Sequence, residues 1–142
     1  MSIIYRKAIE ADTKSLGKLL KELGYDVDGN TLSQITKAIR DHGGEVIVAS
    51  IDSLVIGCVN TLIDIRLSEG ITGEIVSLVV SSAYRGMGIG KGLVSHAESW
   101  LKSKGCNTIR VRANSVRKEA HQFYLKMDFE EIKTQKIFKK NI

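Results

Sequence analysis

Leu16, Leu19, Leu20 and Leu23 recur at the i, i+3, i+4, i+7 spacing that gathers apolar side chains on one helix face, and the stripe stops at Gly24. A second stripe, Leu32, Ile35 and Ile39, starts within Thr31-Leu32-Ser33-Gln34, which reads as a capping box, and closes at Gly43-Gly44. Leu93, Val94, Ala97 and Leu101 form a third stripe ending at Gly105; Ala120, Phe123, Tyr124 and Met127 suggest a fourth. Elsewhere the apolar residues run on continuously or alternate. Residues 3–6 predict a first strand, and residues 46–49 and 54–56 a hairpin about Asp52-Ser53. The second hairpin strand continues through Gly57 to about Ile65, and residues 71–81 predict the next strand after a loop. Ile109 and Val111 alternate with Arg110 and Arg112 as a further strand, and residues 129–140 supply one or two last strands. The order is β-α-α-β-β-β-α-β-α-β-β. No repeat, low-complexity stretch or linker divides residues 1–142, which read as a single domain.

The junction between the strand over 71–81 and the third helix carries the most specific chemistry. A β-branched run ends at Val79-Val80, Gly86, Gly88 and Gly90 alternate with Met87 and Ile89, and a helical pattern begins at once. Such a junction aims backbone N–H groups without internal partners at one small volume, at the positive end of a helix dipole, where a phosphate is favoured. Glycines remove the Cβ atoms that hold a ligand away from the backbone, and Arg85 and Lys91 bracket the turn with cations. Counting excludes two phosphate motifs. A Walker A loop needs glycine where Arg85 stands and Ser or Thr where Gly92 stands. The dinucleotide pattern G-x-G-x-x-G meets Lys91 or Leu93 at its last position.

What fits is R-x-x-G-x-G, as Arg85, Gly88 and Gly90, which resembles the coenzyme A signature of the GNAT superfamily of N-acetyltransferases. The element order is that of the same fold, so the resemblance spans essentially the whole chain, although only residues 74–93 and 114–129 carry specific motifs. It implies an α/β (α+β) GNAT fold, a mixed central sheet of six to seven strands flanked by about four helices. It implies direct transfer of the acetyl group of acetyl-CoA to a primary amine, as in the small bacterial acetyltransferases of aminoalkylphosphonates and aminoglycosides. Arg85, Gly86, Met87, Gly88, Ile89, Gly90 and Lys91 then match the pyrophosphate loop. Leu78, Val79 and Val80 match a splayed strand whose backbone N–H groups take the pantetheine arm and the oxyanion.

The resemblance also assigns the chemistry. Glu74 lies eleven residues before Arg85, the spacing of the catalytic glutamate in the histone-acetyltransferase branch, and is the candidate base; the alternative is a solvated glutamate on a strand face. An ordinary carboxylate is a poor base for an ammonium, so burial or a water relay would have to assist it. Tyr124, in Ala120-His121-Gln122-Phe123-Tyr124, matches the general acid, unless it is only a packed aromatic. A phenol near about 10 facing a thiol near about 8.5 makes full proton transfer uphill by about 2 kcal/mol, so hydrogen bonding to the leaving sulfur is the expected role. Asn114 stands where the family often places an asparagine against the cofactor, but six residues before Ala120 instead of three, which also suits a turn or cap. Asp128 replaces the family's usual glycine, and aspartate tolerates positive φ better than most residues.

Composition narrows the partners. The net charge of +5 sits in the second half, which holds 13 of the 21 Lys and Arg residues and also the glycine loop. A phosphate-rich cofactor accounts for part of that excess; a nucleic-acid module would too, but 6% aromatics is poor for a base-stacking platform. No apolar run reaches the roughly 20 residues of a membrane span. No signal peptide is recognised, and Cys58 and Cys106 lack C-x-x-C spacing, so reduced cysteines in a cytoplasmic protein are expected. His42, His96 and His121 form no i, i+4 pair, and no metal is expected. Glu22, Asp26, Asp28 and Glu69 would line the acceptor side and suit a polyamine or aminoglycoside; Arg66, Arg110 and Arg112 are the candidates for an aminoalkylphosphonate. A protein or peptide amine, a non-catalytic coenzyme A-binding regulator and a homodimer stay open.

Overall fold

The computed structural model describes residues 2–113 and 118–142. Residues up to Val111 form one compact unit and Arg112–Ile142 a second. The first unit is built on a five-stranded sheet in the order β1-β2-β3-β4-β5. Strands β1 (Ile3–Lys7), β2 (Glu45–Ile51), β3 (Leu54–Arg66) and β4 (Gly70–Val80) pair antiparallel, and β5 (Ile109–Val111) pairs parallel to β4. Helices α1 (Thr13–Glu22), α2 (Gly29–Asp41) and α3 (Ile89–Ser103) complete it.

Local chemistry explains most boundaries. Asp52 and Ser53 take φ of 48° and 69°, the two positive values that a two-residue turn needs to match the twist of β2 and β3. Helix α1 ends with Tyr25 N–H donating to the Leu20 carbonyl at 3.1 Å across Gly24, whose φ is 92°. Helix α2 starts three residues earlier than the expected capping box. Asp28, not Thr31, is its cap, accepting from Thr31 N–H at 2.9 Å and from the Thr31 hydroxyl at 2.8 Å. A carboxylate on the free N–H groups of a first turn outcompetes a hydroxyl placed further in.

The sheet is covered on both faces. Leu16 and Leu19 of α1 and Leu32 of α2 pack on Val46, Val48, Val55, Cys58 and Val79. Burial pushes the Cys58 thiol up to about 12, so it stays a neutral core group. On the other face α3 buries Leu93, Val94, Ala97 and Leu101. It lies so close that a Cβ on Gly73 would stand 2.7 Å from Leu101 Cδ1.

The second unit contains α4 (Lys118–Lys126). Phe129 N–H donates to the Tyr124 carbonyl at 3.1 Å, and Asp128 takes φ of 68°, so the aspartate does fill the left-handed position where glycine is usual. The expected last strands over 129–140 are not formed, which corrects the six-to-seven-strand sheet to five strands among the described residues. A strand needs a neighbouring strand to pair with, and residues 130–142 are all exposed, Ile137 and Phe138 included.

Candidate active site

Two features of β4 set the site. Across β3 the register passes from Thr61–Ile75 to Asn60–Ser77, so β4 carries one extra residue, Val76, as a bulge. Across β5 the parallel ladder covers Gly73, Glu74 and Ile75 alone, and residues 76–80 run beyond the end of β5. Leu78, Val79 and Val80 lie on that stretch, Val79 buried and its neighbours half-buried. The stretch that the sequence assigns to the cofactor edge therefore lies beyond the bulge and past the last β4–β5 pair. Asn60, opposite Ser77, keeps its Oδ1 buried without a hydrogen-bond partner among the described residues.

Past Val80 a single turn over Ser82–Tyr84 leads to the glycine loop. Gly86 and Gly88 take φ of 80° and 79°, and a Cβ at either would meet nothing within 4 Å. Their absent side chains leave open space in front of the loop, not room for packing. Gly88 is the N-cap of α3, so Ile89, Gly90 and Lys91 form its first turn, with N–H groups that helix geometry leaves without intrahelical carbonyls. Ile89 is buried and anchors this turn in the core, while Arg85, Met87 and Lys91 are not buried and leave the loop accessible. Arg85 Nε donates to the Val80 carbonyl at 3.4 Å. Gly92, one residue further on, serves packing instead, since its Cβ would sit 1.9 Å from the Tyr5 hydroxyl.

Glu74 is buried, not a solvated strand residue. It lies opposite Arg110 in the β4–β5 register, and Arg110 Nε donates to its Oε1 at 2.9 Å. Arg110 also donates through Nη1 to Glu69 at 3.0 Å and through Nη2 to Asp64. Asp64 accepts in addition from Arg66 Nε at 2.7 Å. Burial raises the Asp64 carboxyl, but the hydrogen bonds from Arg110 and Arg66 outweigh it and the net shift is downward. The guanidinium of Arg110 is pushed up, chiefly by Glu74, so it stays charged at any working pH. Asp64 gives no signal in the sequence, where Arg110 reads as a phosphonate ligand. Alternation puts Arg110 on one face of β5, but nothing local says which acids share that face.

The acids expected on the acceptor side are mostly occupied. Asp28 caps α2, Glu69 pairs with Arg110, and Glu22 accepts from Ser82 N–H at 2.9 Å. That bond, with the Ser82 side chain next, lowers the Glu22 carboxyl below its ordinary value. Asp26 lies 3.9 Å from Lys21 on the surface. In the second unit, the Tyr124 ring meets Phe123 and Phe129 edge-on at 5.1 and 5.5 Å. Asn114 lies outside the described residues. No helix among the described residues is long and apolar enough to cross a membrane.

A bulged strand running past its neighbour, followed by a left-handed glycine cap on an exposed helix N-terminus, suits a diphosphate at one end and an extended amide-bearing arm at the other. Comparisons with known proteins agree. The profile of the acetyltransferase (GNAT) family matches residues 9–129. An uncharacterised N-acetyltransferase of Chlorobaculum tepidum is 30% identical over 132 residues, covering 92% of this chain and 77% of the relative. Among solved structures, an acetyltransferase of Trypanosoma brucei is 25% identical, with a TM-score of 0.84 over 97% of this chain and 99% of its own. An aminoglycoside N-acetyltransferase solved in complex with CoA shares the fold, with a TM-score of 0.88 at 16% identity, over 99% of this chain and 96% of that one. The chain belongs to the GNAT acetyltransferase family and is an acetyl-CoA-dependent N-acetyltransferase.

Proposed function

We propose that this enzyme acetylates a primary amine of a small cationic molecule, of polyamine or aminoglycoside type, and works as one GNAT domain. The observation that carries the reading is the engagement of Arg66 and Arg110. Two of the three arginines that would have received a phosphonate are tied to Asp64, Glu69 and Glu74. Three carboxylates, Asp64, Glu69 and Glu74, gather beside β4, a setting that suits an ammonium better than an anion. The aminoglycoside specificity of a structural neighbour points the same way.

In this reading the N–H groups around Gly86, Gly88 and Gly90, with Met87 and Ile89 supplying backbone only, take the pyrophosphate, and Arg85 and Lys91 add charge. The backbone of Leu78, Val79 and Val80 holds the pantetheine arm and receives the developing oxyanion. Glu74 accepts the amine proton, directly or through water, as nitrogen attacks the thioester carbonyl. The C–N bond forms, the C–S bond breaks, and the Tyr124 hydroxyl hydrogen-bonds the departing sulfur, which leaves as the thiolate and takes its proton from water. Asn114 is assigned to the cofactor on its sequence position. The reading takes no metal, nucleic acid or membrane partner. The exposed apolar residues Ile132, Ile137 and Phe138 favour a homodimer that covers them.

Thiol release from acetyl-CoA, followed with a panel of polyamines, aminoglycosides, aminoalkylphosphonates and lysine peptides, tests the acceptor. Saturable acceleration by the polycations alone is expected. Acceleration by phosphonates or peptides alone would overturn it, and calorimetric binding of acetyl-CoA with no accelerating amine would favour the regulator. Tyr124→Phe is expected to lower kcat about tenfold with acetyl-CoA affinity unchanged.

A further inference from the structure

The position of Glu74 is not decided by its own strand. Arg110 reaches it from β5, and the same guanidinium reaches Glu69 in the β3–β4 turn and Asp64 on β3. Asp64 is fixed in turn by Arg66 Nε at 2.7 Å. All three nitrogens of the Arg110 fork are therefore engaged, and its side chain is only 13% exposed. A planar fork bound at three points cannot turn without breaking several charge-assisted bonds together. The Glu74 oxygen that it holds is thus located by two neighbouring strands and a turn.

We propose that Arg110 is the positioning residue of the acceptor site, acting through Glu74: it ties that carboxylate to Asp64 and Glu69 and fixes where the amine meets it. The inference rests on the role given to Glu74 above. In this role Arg110 acts through Glu74 and not on the amine, so its loss changes how well Glu74 is aimed and leaves the glycine loop as it was. Lysine keeps the charge but presents one ammonium where three separated nitrogens are needed.

The test is kinetic. Arg110→Lys is expected to lower kcat about tenfold to a hundredfold, the range for a reacting group displaced by about 1 Å. KM for acetyl-CoA stays unchanged. Asp64→Asn, which takes the charge from one anchor and leaves Arg110 and Glu74 in place, gives a smaller drop in kcat of the same kind. It keeps the test open if the first variant folds poorly. In a Glu74→Gln background, Arg110→Lys adds less than about twofold, because the residue through which it acts is already gone. The proposal is overturned if Arg110→Lys and Asp64→Asn lower the melting temperature but leave kcat intact, or if the Arg110 and Glu74 losses multiply. A slow Glu74→Gln with unaffected Arg110 and Asp64 variants removes this proposal alone; a fully active Glu74→Gln removes the role of Glu74 as well.

Discussion

Midway along β4, Glu74 is buried and its charge is met by a side chain from the next strand, Arg110 at 2.9 Å. The C-terminal end runs past the Val76 bulge toward exposed glycines and the first turn of α3. One strand thus carries two ways of handling charge. In the proposed reading, recognition at Glu74 is built from side chains that hold one another, so removing an atom group is damaging. At the loop it is built from backbone, so damage comes from adding atoms.

Four substitutions test that contrast. Glu74→Gln, which removes the charge and keeps the shape, is expected to lower kcat about a hundredfold or more, read as thiol release under saturating substrates. The melting temperature should move less than for Arg110→Lys. Gly88→Val should raise KM for acetyl-CoA at least about tenfold, since a side chain now stands where a ligand approaches the backbone. Forcing φ of 79° on valine costs about 1–2 kcal/mol, while the open space around the Cβ keeps the fold intact. Binding calorimetry and thermal melting of the same sample separate the two effects.

Gly92→Ala sharpens the comparison from the opposite side. It adds one methyl only one turn into the same helix, yet that methyl collides with the Tyr5 ring, which is stacked on His96 at 4.4 Å. A stability loss of about 1–3 kcal/mol in chemical denaturation is expected, with KM for acetyl-CoA little changed. The smallest effect belongs to Glu22→Gln. Because the folded carboxyl is lowered, its contribution is present above the ordinary glutamate value of 4.5 and lost as pH falls through the lowered one. The melting-temperature gap between wild type and variant should therefore be small at neutral pH and close in acid. A gap that widens in acid contradicts the Ser82 contact.

Legibility follows distance along the chain. Gly24 and Gly105 as helix stops, the Asp52-Ser53 turn and the left-handed Asp128 all depend on residues within a few positions, and all are readable from the sequence. The start of α2 is not, because two good capping signals, Asp28 and Thr31, compete within one turn, and only packing shows which is used. The last strands fail for a different reason. Residues 129–140 carry strand-forming residues in Phe129, Ile132, Thr134, Ile137 and Phe138, but composition says nothing about a partner for the backbone.

The candidate site divides in the same way. The shape of the glycine loop, a left-handed glycine cap on the N-terminus of α3, is legible because a helix start creates its donors locally, from glycines and helix propensity alone. Glu74 is located by spacing, but its partners are not, since Arg110 lies 36 residues away and Asp64 is reached only through the sheet register. Short-range sterics and main-chain hydrogen bonding act between neighbours and are written directly in the order of residues. Ion pairing acts between groups brought together only when β3, β4 and β5 align, and so the charge around Glu74 is set by the folded sheet.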